Sequence, residues 1–331
     1  MSTLEKYLEK ALEARSMMQD FQSASQDFGS LRLYSGFYEG YPDLVVDIYG
    51  KTLVLFNYGE SRVVLDAAQS YVLEKLPWVN CVIHKTRSAR DPVQRSGVLA
   101  IGDSPTEKIQ EHGVWYALDL QMQQDASFYF DTRILRKWLL ENAHDWKVLN
   151  TFAYTGSLGV AALAGGAAYV MQTDLKRNFL EQARRSAMLN RLDLGKMKLK
   201  ANDFFSIVGQ LKRKGELFDC LIIDPPFFSS TKKGSVDLVN ESTRLINKVR
   251  PLVADGGYLV AINNALFLSG AEYMRSLEEL CKDGYLSIET TIPIPPDITG
   301  FSSTIVGLPP TDPAPFNHPT KIAILRVRRK K

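Results

Sequence analysis

Cysteine is scarce in this chain of 331 residues: Cys81, Cys220 and Cys281 stand far apart, and none belongs to a C-x-x-C pair. That spacing excludes a disulfide framework or a zinc site and fits a reducing, intracellular compartment. Long apolar runs are missing too, with nothing near the roughly 18 residues a membrane span requires. The opening LEKYLEKALEAR carries charge throughout, which excludes a signal peptide. A cytoplasmic protein with no membrane partner is the expectation. Neither sign of charge is in large excess; a formal net of +3 neither demands nor excludes nucleic acid, because clustering decides that. No G-x-G-x-x-G loop, internal repeat or low-complexity tract occurs, and His84, His112 and His144 lack ligand spacing, so no metal site is expected.

What is present is patterned. Leu4, Leu8 and Leu12 recur at helical spacing over residues 3–18. Two apolar runs then flank Tyr49-Gly50-Lys51, a hairpin signal with Gly50 free to take positive φ. A helical pattern over 60–76 and a strand over 79–84 complete a small α+β domain, expected over residues 1–110 with a possible part in substrate recognition. The catalytic domain is expected over 111–331. From Trp146 onward short apolar runs alternate with amphipathic stretches: VLNTF, AYVMQTD, MKLKA, FDCLIID, GYLVAIN and LSIETTI. Such alternation predicts an α/β, doubly wound, mainly parallel sheet joined by right-handed crossovers. Eight of the fifteen prolines fall within 293–320, which predicts a long loop before a last, antiparallel strand, KIAILRV.

Ligands of open α/β sheets bind beyond the carboxyl ends of the strands. After the first such strand stand Asn150, Phe152, Tyr154 and Gly156, the glycine permitting a sharp turn into a helix. The plain alternative is an ordinary β–α turn. Asp174 ends the second strand, eighteen residues past Gly156; an acid there accepts from both ribose hydroxyls, or caps the next helix. Asp203 and Phe204 follow the third strand, an acceptor for an exocyclic amine beside an aromatic face, with helix capping by Asp203 as the plain reading. After the fourth strand come Asp224-Pro225-Pro226-Phe227-Phe228. The two prolines fix φ and leave a rigid run of carbonyl acceptors. Phe228 as ordinary core is the competing explanation, but packing alone does not account for the whole stretch.

These four segments, in this order, resemble class I S-adenosylmethionine methyltransferases of Rossmann-like fold, and more closely the bacterial 23S ribosomal RNA large-subunit methyltransferases. The resemblance runs from about Leu31 to Lys331 and includes GYPDLVVDIYGKTLVLF, Phe128–Arg133, LNTFAYTGSLGVAALAGGA and the D-P-P-x-F stretch. It implies S-adenosyl-L-methionine as cofactor, with Arg133 near its carboxylate and the segment around Asp131 closing over it. The chain departs from the family at Ser157, where a second glycine is usual, and at Asp125-Ala126-Ser127, where Lys-Thr-Gly is frequent. The N-terminal RNA-binding module of some members is not expected.

Two chemistries occur in that family. Carbon-5 methylation of a pyrimidine needs a cysteine thiolate to add to the ring, and members doing this carry it after the fifth strand, where this chain has Ala261-Ile262-Asn263-Asn264-Ala265. Amine methylation needs acceptors for the N–H hydrogens, which Asp224 and the Pro225 carbonyl supply, and a stacking ring, which Phe227 or Phe228 supplies. Asn263-Asn264 also resembles the guanine-N2 members. The expectation is therefore an RNA methyltransferase acting on guanine N2 in ribosomal RNA. The alternatives are a cytosine-C5 enzyme, a methyltransferase for a protein or small-molecule amine, and a non-catalytic RNA-binding assembly factor. Lys85, Arg87, Arg90 and Arg95 in one loop, Lys232 and Lys233 after the D-P-P-F-F stretch, and Arg326, Arg328, Arg329, Lys330 and Lys331 in the tail are candidate phosphate contacts. His318 reads as an ordinary loop residue.

Overall fold

The computed structural model describes residues 2–59, 63–231 and 233–329; Lys232, Lys330 and Lys331 lie outside them. The chain divides into two compact units, Met1–Asp131 with Pro295–Leu308, and Thr132–Ile294 with Pro309–Lys331.

In the first unit, α1 (Thr3–Arg15) starts at a capping box between Ser2 and Glu5 and buries Leu4, Leu8 and Leu12, the spacing read from the sequence. Then come α2 (Gln19–Ser25), β1 (Ser30–Ser35), α3 (Gly36–Glu39), β2 (Leu44–Tyr49), β3 (Thr52–Asn57), α4 (Val63–Lys75), β4 (Cys81–Thr86), α5 (Pro92–Ser96) and β5 (Val98–Ile101). The strands form one sheet in the order β1-β2-β3-β4-β5. Gly50, at φ +52°, turns β2 into β3. A separate hairpin, β6 (Lys108–Glu111) with β7 (Val114–Ala117), follows. The expected boundary at residue 110 falls inside β6.

The proline-rich stretch is more than a loop. Its Pro295–Leu308 portion belongs to the first unit and contains the short helix Pro296–Thr299. Buried Arg15 ties it down, pairing with Glu39 at 2.9 Å and donating to the Asp297 carbonyl at 2.8 Å. Thr304 donates to the same Glu39 carboxylate. A charge so enclosed is stable only when its hydrogen bonds are complete, and the return of this segment completes them.

The second unit contains α6 (Arg133–Asn142), β8 (Lys147–Thr151), α7 (Ser157–Ala164), β9 (Tyr169–Asp174), α8 (Arg177–Leu189), β10 (Met197–Ala201), α9 (Phe204–Arg213) and β11 (Phe218–Ile223). A small hairpin, β12 (Phe228–Thr231) with β13 (Gly234–Asp237), precedes α10 (Ser242–Val249), β14 (Val253–Asn263), α11 (Gly270–Cys281), β15 (Leu286–Ile292) and β16 (Lys321–Val327). The seven-stranded sheet runs β10-β9-β8-β11-β14-β16-β15. Strands β10, β9, β8, β11 and β14 are parallel, while β16 inserts antiparallel to both β14 and β15. This is the Rossmann-like, doubly wound architecture expected, with the antiparallel last strand. The order reverses between β8 and β11, which puts the switch point at their carboxyl ends. Among the described residues, no helix is long and apolar enough to cross a membrane.

Candidate active site

The loop after β8 is unusual in its backbone. Phe152, Tyr154 and Gly156 all hold positive φ, at +54°, +50° and +76°. For the two aromatic residues this region costs about 1–3 kcal/mol each, and it persists only where surroundings enforce it. Here Ala153 N–H donates to the Thr173 carbonyl, Tyr154 N–H to Asp174 Oδ2, and Gly156 N–H to the Ala153 carbonyl, all at 2.7–2.9 Å. Gly156 also caps α7, and a Cβ on it would lie 2.5 Å from that of Ala183 and 2.7 Å from Gln172 Oε1. Phe152 stacks on Phe204 with ring centroids 4.5 Å apart, and Tyr154 meets the Phe179 ring edge-on at 4.6 Å. Asn150 is buried; its Nδ2 donates to Gln172 at 3.0 Å, and its Oδ1 has no partner among the described residues.

Asp174 ends β9 with both carboxylate oxygens placed, Oδ2 on Tyr154 N–H and Oδ1 on Lys176 N–H at 3.0 Å. The helix-cap role weighed for it is not found: Lys176 is the N-cap of α8 and makes no side-chain cap. Asp203 does cap α9, accepting from Ser206 N–H at 3.0 Å. Phe152, Asp174, Leu175, Asn202, Asp203 and Phe204 line one cleft together with Ser229 and Val236 of the hairpin. Two acids at successive strand ends, beside aromatic and aliphatic walls, fit an adenosine group: acceptors for hydroxyl and amine hydrogens, and apolar surface for the ring. Leu175 and the hairpin escape a reading of the sequence. Leu175 shows only as an apolar residue standing exposed after a strand-end acid.

The Asp224-Pro225-Pro226 segment leaves β11 at the switch point, with Asp224 half-buried and Pro225 buried. Phe227 and Phe228 are 47% and 64% exposed, so Phe228 is not core. Asn263 is fully buried and donates to the Leu238 carbonyl at 3.1 Å, whereas its neighbour Asn264 is exposed. Arg133 opens α6 and is buried. Cys220 lies fully buried inside β11, where desolvation pushes its thiol far above the usual range; Cys81, in the first unit, and Cys281, at the end of α11, are raised for the same reason. None of these thiols is an activated nucleophile.

The loop cations expected on the surface are largely engaged. Lys85 is fully buried and donates to the carbonyls of Ser96, Gln123 and Asp125. Arg87 pairs with Asp125 at 2.6 Å, and Arg95 donates to the carbonyls of Ala89 and Arg90. Arg90 itself is exposed, as are Lys233 and Arg328. Arg326 lies over the Tyr258 ring, and Arg329 donates to the Pro251 and Val253 carbonyls. His318 accepts from Thr320 N–H at 3.0 Å, an ordinary turn. Among the described residues, no group of three or more His, Cys, Asp or Glu side chains could hold a metal ion.

Known proteins bear on this geometry. A family model described as S-adenosylmethionine-dependent methyltransferase matches residues 87–296. The chain is 25% identical to a ribosomal RNA large subunit methyltransferase I of Erwinia tasmaniensis, over 85% of this chain and 72% of that one. It is 30% identical to the protein of that name from Aeromonas salmonicida, over 71% of this chain but only 61% of the relative. In fold, it superposes with a TM-score of 0.84 on a chain described as a methyltransferase complexed with SAH, at 20% identity, covering 99% of this chain and 83% of that one. A SAM-dependent methyltransferase structure from Streptococcus mutans gives 0.82 at 19% identity, covering 99% and 82%.

Proposed function

Since the chain belongs to the S-adenosylmethionine-dependent methyltransferases and takes its methyl group from S-adenosylmethionine, we propose that it methylates large-subunit ribosomal RNA at an exocyclic base amine, with guanine N2 the favoured atom. The observation that supports this reading is the Asp224-Pro225-Pro226 segment leaving β11 at the switch point, followed by two phenylalanines left in solvent. The names of the relatives support RNA as the acceptor.

Asp174 accepts the ribose hydroxyls, Asp203 and Phe204 receive the adenine, the Asn150–Gly156 loop holds the remaining backbone contacts, and Arg133 answers the carboxylate. The cofactor supplies an electrophilic methyl group on a sulfonium. The chain's own task is to present the nucleophile. An exocyclic amine has its lone pair delocalised into the ring. Asp224 and the Pro225 carbonyl accept its two N–H hydrogens, which turns that lone pair out of the ring plane. Phe227 or Phe228 stacks on the extruded or single-stranded base, worth about 1–3 kcal/mol. Transfer is then in-line and helped chiefly by positioning, and the surplus proton leaves through the Asp224 carboxylate. Carbon-5 chemistry is disfavoured because no described cysteine is both exposed and activated.

Labelled methyl transfer to total RNA, with nucleoside analysis, tests this. N2-methylguanosine in the wild type and none with Asp224→Ala is the expected result. Label in 5-methylcytidine overturns the amine reading, and label only in protein or small amines overturns the RNA reading.

A further inference from the structure

Leu266 and Phe267, on the loop after β14, are 40% and 68% exposed. An exposed phenylalanine alone is ordinary surface. What distinguishes this loop is the buried polar machinery that holds it. Asn263 accepts from the Ala265 N–H at 2.9 Å. Lys321, fully buried at the start of β16, donates its ammonium to the carbonyls of Ala265 at 2.9 Å and Pro319 at 2.6 Å. Thr311 Oγ1 donates to the Leu266 carbonyl at 2.6 Å. Burying an amine among neutral carbonyls is costly, and a plain strand-to-helix turn does not call for it.

The same network reaches the acceptor side of the site. Asn263 donates to the Leu238 carbonyl, and Leu238 N–H donates to the Phe227 carbonyl at 3.2 Å. Strands β11 and β14 are parallel neighbours with Ile223 opposite Ala261. The loop carrying Phe227 and the loop carrying Phe267 therefore leave the same end of the sheet side by side, joined by side-chain and backbone hydrogen bonds.

We infer that Phe267 is a second stacking wall for the acceptor base, working with Phe227 and Phe228, and that Asn263 and Lys321 are positioning residues that hold it in place. This rests on the RNA reading above. A planar base suits such walls because every base presents a π-face, and a loop tethered in advance loses little freedom when the base arrives.

The test is steady-state methylation of unmodified ribosomal RNA transcribed in vitro, with SAH affinity measured by calorimetry. Phe267→Ala is expected to raise KM for RNA roughly 5- to 100-fold, the range of one base–aromatic stack, with SAH affinity unchanged. Phe267→Trp is expected to restore it. Lys321→Met is expected to raise the same KM, and adding Phe267→Ala to it should cost less than Phe267→Ala costs alone, because the tether acts through that ring. Wild-type KM and kcat in Phe267→Ala, on RNA that the wild type does methylate, would overturn this inference alone. A wild type that labels no RNA would overturn it together with the substrate reading.

Discussion

Asp174 Oδ2 accepts a hydrogen bond from the backbone N–H of Tyr154 at 2.9 Å, and Tyr154 holds φ at +50°. One carboxylate thus braces a strained loop while lining the cleft proposed for the cofactor. Its two roles separate by substitution. Asp174→Asn keeps an oxygen for the Tyr154 N–H but loses the charge and gives up the bond from the Lys176 N–H. A hydrogen bond to a charged group is worth about 1.5–3 kcal/mol, so SAH affinity should fall about 10- to 150-fold by calorimetry while Tm falls less than in Asp174→Ala. Asp174→Ala should lose both affinity and Tm. Equal Tm losses in the two variants would contradict a bracing role.

Gly156→Ala concentrates the cost in one methyl group. The position is left-handed, and the added carbon would meet the Ala183 Cβ at 2.5 Å. Strain and overpacking together come to about 2–4 kcal/mol. Thermal denaturation should show Tm lowered by about 5–15 °C. A variant as stable as the wild type would mean that α7 shifts freely, against the packing of Gln172 beneath it.

Much of the second unit was legible because buried parallel strands are short apolar runs. Each run read from the sequence coincides with a strand to within a few residues, except that β14 begins earlier, at Val253. The acids at the ends of β9 and β10 were legible for the same reason, since position after a strand is a local property. What was not legible depends on contacts distant in sequence. The Pro295–Leu308 segment looked like loop because its anchor is Arg15, far away in the chain. Lys85 looked like surface because lysine usually is, and only the fold reveals the three carbonyls around it. The Asn263-Asn264 pair carries a family resemblance in the sequence, but only the fold shows that the Asn263 amide is spent on Leu238 and Ala265.

The cysteines offer a chemical test. All three thiols are raised by burial, Cys220 most of all, so replacing them together by alanine should leave kcat per folded molecule unchanged. Loss of a covalent nucleophile would instead cost on the order of 10⁴-fold or more. Methyl-transfer rates normalised to folded protein decide between the two.

Lys321 makes stability depend on pH in a defined window. Its ammonium is fully buried and both acceptors are neutral carbonyls. Burial lowers its pKa from 10.5 to about 8, whereas the unfolded chain holds that proton to about 10.4. Below about pH 8 both states are protonated and the burial cost is fully present. Between about pH 8 and 10.5 the unfolded state binds more protons, so this residue's cost fades and stability rises with pH. Lys321→Met has no such dependence. Relative to that variant, the wild type should gain about 1–3 kcal/mol between pH 7 and pH 10, read from urea unfolding at both values. The carbonyls left without a donor in the variant penalise it equally at both pH values, so they cancel from the comparison. A stability difference that stays constant across the window would mean that Lys321 keeps an ordinary pKa, and that the loop bearing Phe267 is open enough for water to reach its anchor.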